Sequence, residues 1–238
     1  QAGESLINGE HNSAIGYQSA INLENGSYNS FMGYQSGFNT LTGQGNLFLG
    51  YQSGFENTTG NFNTFVGYQA GNKNTAGLYN SFLGSNSGYN NTAGNNNTFV
   101  GFNTGLSNTF GSNNTFVGTE SGYTNQTGNS NVFIGNKAGY NNIDGNKNVF
   151  IGDSVGMLNN SGDYNVFMGY QSGYSIDGGY SNVVLGYQSG YNLTTGYKNV
   201  LMGTMAAYKL STGIDNVMMG DSAGYNSTTA KENVFIGN

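Results

Sequence analysis

Chemistry in a protein of this size usually rests on convergent acids, bases or nucleophiles, so those residues come first. The chain has 238 residues, twelve carboxylates, six Lys, no Arg, no Cys and a single histidine, His11. The carboxylates are scattered, and no pair recurs at a spacing suited to acid–base work. Calcium-binding solenoids carry Asp at regular intervals in a Gly-rich phrase. Here Asp144, Asp153, Asp163, Asp177 and Asp221 are spread over several contexts. His11 precedes the first full repeat and reads as a solvated residue. The expectation is a non-enzyme with no cofactor and no metal. Without Cys there are neither disulfides nor thiolate metal sites. A net charge of −6 and the lack of any basic patch speak against nucleic-acid binding.

The residues best suited to recognition are Tyr-Gln dipeptides: Tyr17-Gln18, Tyr34-Gln35, Tyr51-Gln52 and Tyr68-Gln69, with two later copies at Tyr170-Gln171 and Tyr187-Gln188. Tyr combines contact area with a polar tip, which suits protein or glycan surfaces. The first four are spaced by 17 residues, and that spacing governs the whole chain. Asn recurs at Asn12, Asn29, Asn46, Asn63, Asn80, Asn97, Asn114, Asn131, Asn148, Asn165, Asn182, Asn199, Asn216 and Asn233, each followed four residues later by Gly. A strict period of this length marks a solenoid with one coil per repeat.

Counting each coil from its Asn as offset zero, offset two is Phe in ten of fourteen coils, and offset three is always Ile, Leu, Val or Met. Gly stands at offset four, and nearly always at offsets eight and fourteen. Segments so punctuated are too short for helices. Their β-branched and aromatic content reads as strands. The fold class is therefore all-β: a parallel β-solenoid or β-roll of about fourteen 17-residue coils, with one strand at offsets zero to three and a second around five to nine. At the usual inter-strand spacing this makes a rod on the order of 65 Å long. Pro is absent, as expected where every backbone N–H pairs with the next coil. The Asn should form a ladder of amides, a structural role.

Residues 1–11 read as a partial cap or preceding segment, and 12–238 as a single solenoid that is a piece of a longer chain. No apolar run approaches membrane-spanning length, and no signal peptide is visible. Residues 17 apart should be lateral neighbours, and Glu56/Lys73, Glu120/Lys137 and Lys198/Asp215 have opposite signs.

Offsets one and three share a strand face. Offset one is mostly Ser or Thr up to Thr115, and Val in every coil from Val132 to Val234. That face grows more apolar toward the C-terminus, which predicts self-association, tighter in the C-terminal half.

The phrases Asn12-Ser-Ala-Ile-Gly16, Asn148-Val-Phe-Ile-Gly152 and Asn233-Val-Phe-Ile-Gly237, with the small residue and Gly that follow, resemble the head repeats of trimeric autotransporter adhesins. The Gly-Tyr-Gln-Ser-Gly arrays are also similar to β-solenoid shafts of bacterial surface proteins and phage-like tail fibres. The resemblance implies a left-handed roll, a homotrimer, and an extracellular or cell-surface location where host or environmental proteins or glycans are bound. The repeat here is longer than in those heads, and Phe commonly stands where their phrase has Ala, which implies a fatter coil or a differently packed interior. Two other functions compete. One is a filament subunit stacking head-to-tail through uncapped β ends. The other is an ice-binding solenoid using Thr58-Thr59, Thr194-Thr195 and Thr228-Thr229, a ladder broken by Phe110, Gln126, Ile143, Asp144 and Asp177.

Overall fold

A computed structural model describes residues 2–5 and 7–237; Gln1, Leu6 and Asn238 of the expected terminal segments lie outside the described residues. The fold is a parallel β-solenoid, and the described residues contain no helix. The described residues fall into two compact units, one ending at Asn114 and one beginning at Thr115.

The first unit holds β1 (Ser13–Ile15), β2 (Ser30–Met32), β3 (Leu47–Leu49), β4 (Thr64–Val66), β5 (Ser81–Leu83) and β6 (Thr98–Val100). The second holds β7 (Thr115–Val117), β8 (Val132–Ile134), β9 (Val149–Ile151), β10 (Val166–Met168), β11 (Val183–Leu185), β12 (Val200–Met202), β13 (Val217–Met219) and β14 (Val234–Ile236). Within each unit every strand pairs in parallel with the next, and each residue lies beside the one 17 further on, as in Phe48↔Phe65 and Val149↔Val166. One coil is one repeat.

Each strand is three residues long, and its middle residue, offset two, points inward. Phe31, Phe48, Phe65 and Phe82 stack in the first unit, with ring centroids 4.8–5.1 Å apart. Phe116, Phe133, Phe150 and Phe167 do the same in the second, at 4.8–5.0 Å. All eight are buried. Burying such a ring stabilises by about 2 kcal/mol or more, so these columns are the core. Where they end, Val184, Leu201 and Met218 continue the buried position.

The second expected strand is not formed. Offsets five to nine are a turn in every full coil. The cause is local backbone geometry. Offset six is left-handed even though it is never Gly: φ is 53° at Gln18, 51° at Gln35, 49° at Gln52 and 53° at Gln69. Offset eight is left-handed as well, as at Gly37 (61°) and Gly54 (60°). Two such residues, with one residue between them, bend the chain away from any extended path. Inter-coil pairing survives the bend: the Gln35 N–H donates to the Tyr17 carbonyl at 2.9 Å, and the Gly37 N–H to the Ser53 carbonyl at 2.9 Å.

Two glycine columns are fixed by contact. At offset four, a Cβ on Gly67 would run into the carbonyl oxygen of Gly84, and the other coils repeat this. At offset eight, a Cβ would press on the core ring, as Gly71 would on Phe65. Ala replaces Gly at offset eight only at Ala20 and Ala207, in the coils whose core residue is Ala14 or Leu201 and not Phe.

The 17-residue register leaves only one of the three expected charge pairs joined. Lys137 and Glu120 lie 3.7 Å apart. Lys73 leans over the Tyr89 ring, 5.3 Å from its centroid, and Lys198 lies 5.9 Å from that of Tyr197, so neither reaches its acid. A flat aromatic face close to an ammonium competes well with an exposed carboxylate.

Candidate binding surface

The Asn at offset zero immediately precedes each strand and is buried in every coil from Asn29 to Asn216. Its side chain satisfies three parts of the coil. Asn46 shows the pattern: its Nδ2 donates to Asn29 Oδ1 at 3.1 Å and to the Gly60 carbonyl at 2.9 Å, and its Oδ1 accepts the backbone N–H of Asn63 at 2.9 Å. No other side chain has a carbonyl and an NH₂ this close to the backbone, apart from the longer Gln. The ladder thus joins adjacent coils and closes each coil on itself.

A second buried Asn ladder stands at offset eleven, and the sequence reading missed it. Asn57, Asn74, Asn91 and Asn108 belong to the first unit, and Asn125, Asn142 and Asn159 to the second; all are buried. Asn74 Nδ2 donates to Asn57 Oδ1 and Asn91 Nδ2 to Asn74 Oδ1, both at 2.7 Å. Asn142 and Asn159 continue in the second unit at 2.8 and 2.6 Å. Seven consecutive Asn at one offset were the available signal, diluted by an abundance of Asn nearby. Next to Asn57, at the same offset, is Thr40, whose buried hydroxyl has no hydrogen-bond partner among the described residues.

The Tyr-Gln residues form two outward ladders side by side. Tyr17, Tyr34, Tyr51 and Tyr68 are exposed, with successive centroids 5.5, 5.2 and 5.1 Å apart. Because the rings lie face to face, they offer edges and hydroxyls to solvent, not faces. Beside them, Gln35 Nε2 donates to Gln18 Oε1 at 2.8 Å, Gln52 to Gln35 at 2.8 Å and Gln69 to Gln52 at 3.0 Å. The later pair repeats this, with Tyr170 and Tyr187 stacked at 5.4 Å and Gln188 bonded to Gln171 at 2.8 Å.

A further aromatic column runs at offset nine. Tyr174, Tyr191, Tyr208 and Tyr225 stack at 4.9–5.2 Å. Burial raises the Tyr191 hydroxyl above the ordinary tyrosine pKa, and Tyr174, Tyr208 and Tyr170 push the same way. Tyr140 is raised by burial first, then by Glu120 and Tyr123.

Electrostatically the surface offers little to an anion. Lys73, Lys137, Lys147, Lys198 and Lys209 each lie over a Tyr ring, and Lys231 pairs with Glu232 at 3.3 Å. His11 stacks on Tyr28 at 5.1 Å, extending an exposed column at offset sixteen. Among the described residues no three His, Cys, Asp or Glu come together as metal ligands.

The outward strand face carries the apolar side chains that the core does not take. In the first unit Ile15, Met32, Leu49 and Leu83 are exposed at offset three, beside Ser, Thr or Leu at offset one. In the second unit Val132, Val149, Val166, Val183, Val200, Val217 and Val234 form a column next to that of Ile134, Met168 and Met219. No helix of the described residues is long and apolar enough to cross a membrane. Comparison with protein-family models, with curated proteins and with solved structures finds no match.

Proposed function

We propose that this chain is a non-catalytic segment of an extracellular or cell-surface fibre, assembled as a homotrimer, that presents a rigid repetitive surface for attachment to proteins or glycans. The observation that carries the reading is the outward strand face of β8–β14. Two adjacent columns of Val and Ile, Leu or Met cover it, with no polar side chain between them on that face. A continuous apolar face of this kind on a water-soluble chain marks an interface, and a second copy of the chain offers the same face for closure by symmetry. The Tyr and Gln ladders stand on the turns after β1–β4, with a shorter pair after β10 and β11, and are left for recognition. The resemblance of the Asn-Val-Phe-Ile-Gly phrases to trimeric adhesin heads supports three copies over two.

Light scattering after size exclusion tests the assembly. The expected result is a discrete mass near three times 25.1 kDa at all concentrations. Val166→Glu and Val200→Glu, which place charge on the face without touching the core, should yield a folded monomer. A mass that grows with concentration replaces the trimer by a head-to-tail filament. A stable wild-type monomer overturns the reading and makes ice binding the next activity to assay.

A further inference from the structure

The Gln ladder on the first unit reverses direction at one place, and the reversal opens a site. From Gln35 to Gln69 each side-chain amide donates toward the preceding coil, leaving Oε1 aimed at the next. Asn86, at the same offset one coil on, donates the other way, to Asn103 Oδ1 at 3.0 Å. The side chains of Gln69 and Asn86, on adjacent coils, are therefore not joined, and neither Gln69 Oε1 nor Asn86 Oδ1 receives a hydrogen bond from the described residues.

The offset-nine column is interrupted beside them. Tyr89 has Asn72 and Leu106 at that offset in the adjoining coils, where a ring stands in most other coils. Asn72 is drawn inward, its Nδ2 donating to the Gln52 carbonyl at 3.1 Å. The result is a groove of about 260 Å³ lined by Gln69, Asn86, Tyr89, Asn90 and Leu106. The Asn90 side-chain amide has no hydrogen-bond partner among the described residues, so it adds donors and an acceptor.

We infer that this groove binds one pyranose unit of a neutral glycan. Two adjacent amide oxygens accept from a pair of neighbouring hydroxyls, Asn90 donates to a ring or hydroxyl oxygen, and Tyr89 with Leu106 packs on the apolar C–H face of the sugar. The five residues that line the groove are uncharged, which suits the hydroxyls of a neutral sugar, and the Lys73 ammonium stands beside them over the Tyr89 ring, 5.3 Å from its centroid. The inference deepens the attachment reading, on which it rests for its purpose, by naming the ligand class.

The test uses the whole chain and saturation-transfer NMR with methyl β-D-glucopyranoside, methyl β-D-galactopyranoside, methyl α-D-mannopyranoside and N-acetylglucosamine, each titrated alone. The decisive variant is Asn86→Gln. Gln occupies this offset in six other coils with the same left-handed backbone, so the variant keeps the fold and lets its Nε2 cap Gln69 Oε1. Asn90→Ala removes the free amide without breaking an internal bond. At least one glycoside should bind the wild type, and both variants should weaken it about tenfold or more, with thermal midpoints at or above that of the wild type. Equal binding by wild type and Asn86→Gln overturns the groove while leaving attachment intact, as does attachment of protein-coated beads to matrix proteins but to no glycan. Failure of every glycoside to bind overturns the groove alone when the beads still attach, and both readings when they do not.

Discussion

Replacing Asn63 by Ala tests whether the offset-zero ladder holds the coils together. The side chain is fully buried. Its Nδ2 donates to the Gly77 carbonyl at 2.8 Å and to Asn46 Oδ1 at 3.3 Å, and its Oδ1 accepts the Asn80 backbone N–H at 3.0 Å and Asn80 Nδ2 at 3.2 Å. Truncation does not orphan all of these. The Gly77 carbonyl keeps Asn74 Nδ2, Asn46 Oδ1 keeps the Asn63 backbone N–H, and Asn80 Nδ2 keeps the Gly94 carbonyl. Only the Asn80 N–H is left buried without a partner, at a cost of about 1–3 kcal/mol, and the remaining lost bonds add about 1 kcal/mol. The expectation is a loss of about 3 kcal/mol in urea unfolding at pH 7. Asn63→Asp should cost more at pH 7, because its second carboxylate oxygen then faces the Gly77 carbonyl and Asn46 Oδ1. Protonation turns that oxygen into a donor, so the native state holds the proton more tightly than the unfolded chain. Its deficit should therefore shrink as pH falls through the acid range, the reverse of an ordinary salt-bridged Asp. An Asn63→Ala loss below about 1 kcal/mol, or an Asn63→Asp deficit that ignores pH, would refute this account of the ladder.

Four other expectations follow from the packing. Thr40→Val removes a buried hydroxyl that lacks a partner and should raise stability by about 1 kcal/mol in the same urea assay; a loss would mean the hydroxyl is satisfied. Gly71→Ala drives a methyl group into the Phe65 ring at a left-handed residue and should lower stability by about 2 kcal/mol. Gly67→Ala should do worse, since the obstacle is the Gly84 backbone and cannot rotate away. Absorbance titration of the phenol groups should show Tyr140 and Tyr191 ionising above the ordinary tyrosine range. The native state then holds those protons more tightly, so their contribution lowers stability as pH climbs past about 10; Tyr140→Phe and Tyr191→Phe should each weaken that alkaline decline.

The period, the inward Phe and the Asn ladder were legible because each repeats where a single residue type satisfies one geometric demand. The turn at offsets five to nine was not. Left-handed backbone is usually announced by Gly or Asn, and here Gln18, Gln35, Gln52 and Gln69 adopt it. Their cost is offset by inter-coil hydrogen bonds that no single coil reveals. The Tyr and Gln columns could be placed in register from spacing alone. That the rings cover each other's faces, and that the amides reverse direction after Gln69, depends on side-chain orientation, which spacing does not encode. Charge pairing at 17 residues succeeded for Glu120 and Lys137 and failed at Glu56, since Lys73 has a Tyr ring within reach.

The one-coil register also bears on how quickly such a chain can fold. All-β proteins are usually slow because their strand pairs close long loops. Here each strand pairs with the one 17 residues away, which against a length of 238 is a relative contact order of about 0.07, the range of helical bundles. Each newly made coil finds the amide oxygen and backbone groups of the coil before it already in place. Assembly can therefore proceed coil by coil in the order of synthesis, with no pause for a distant partner.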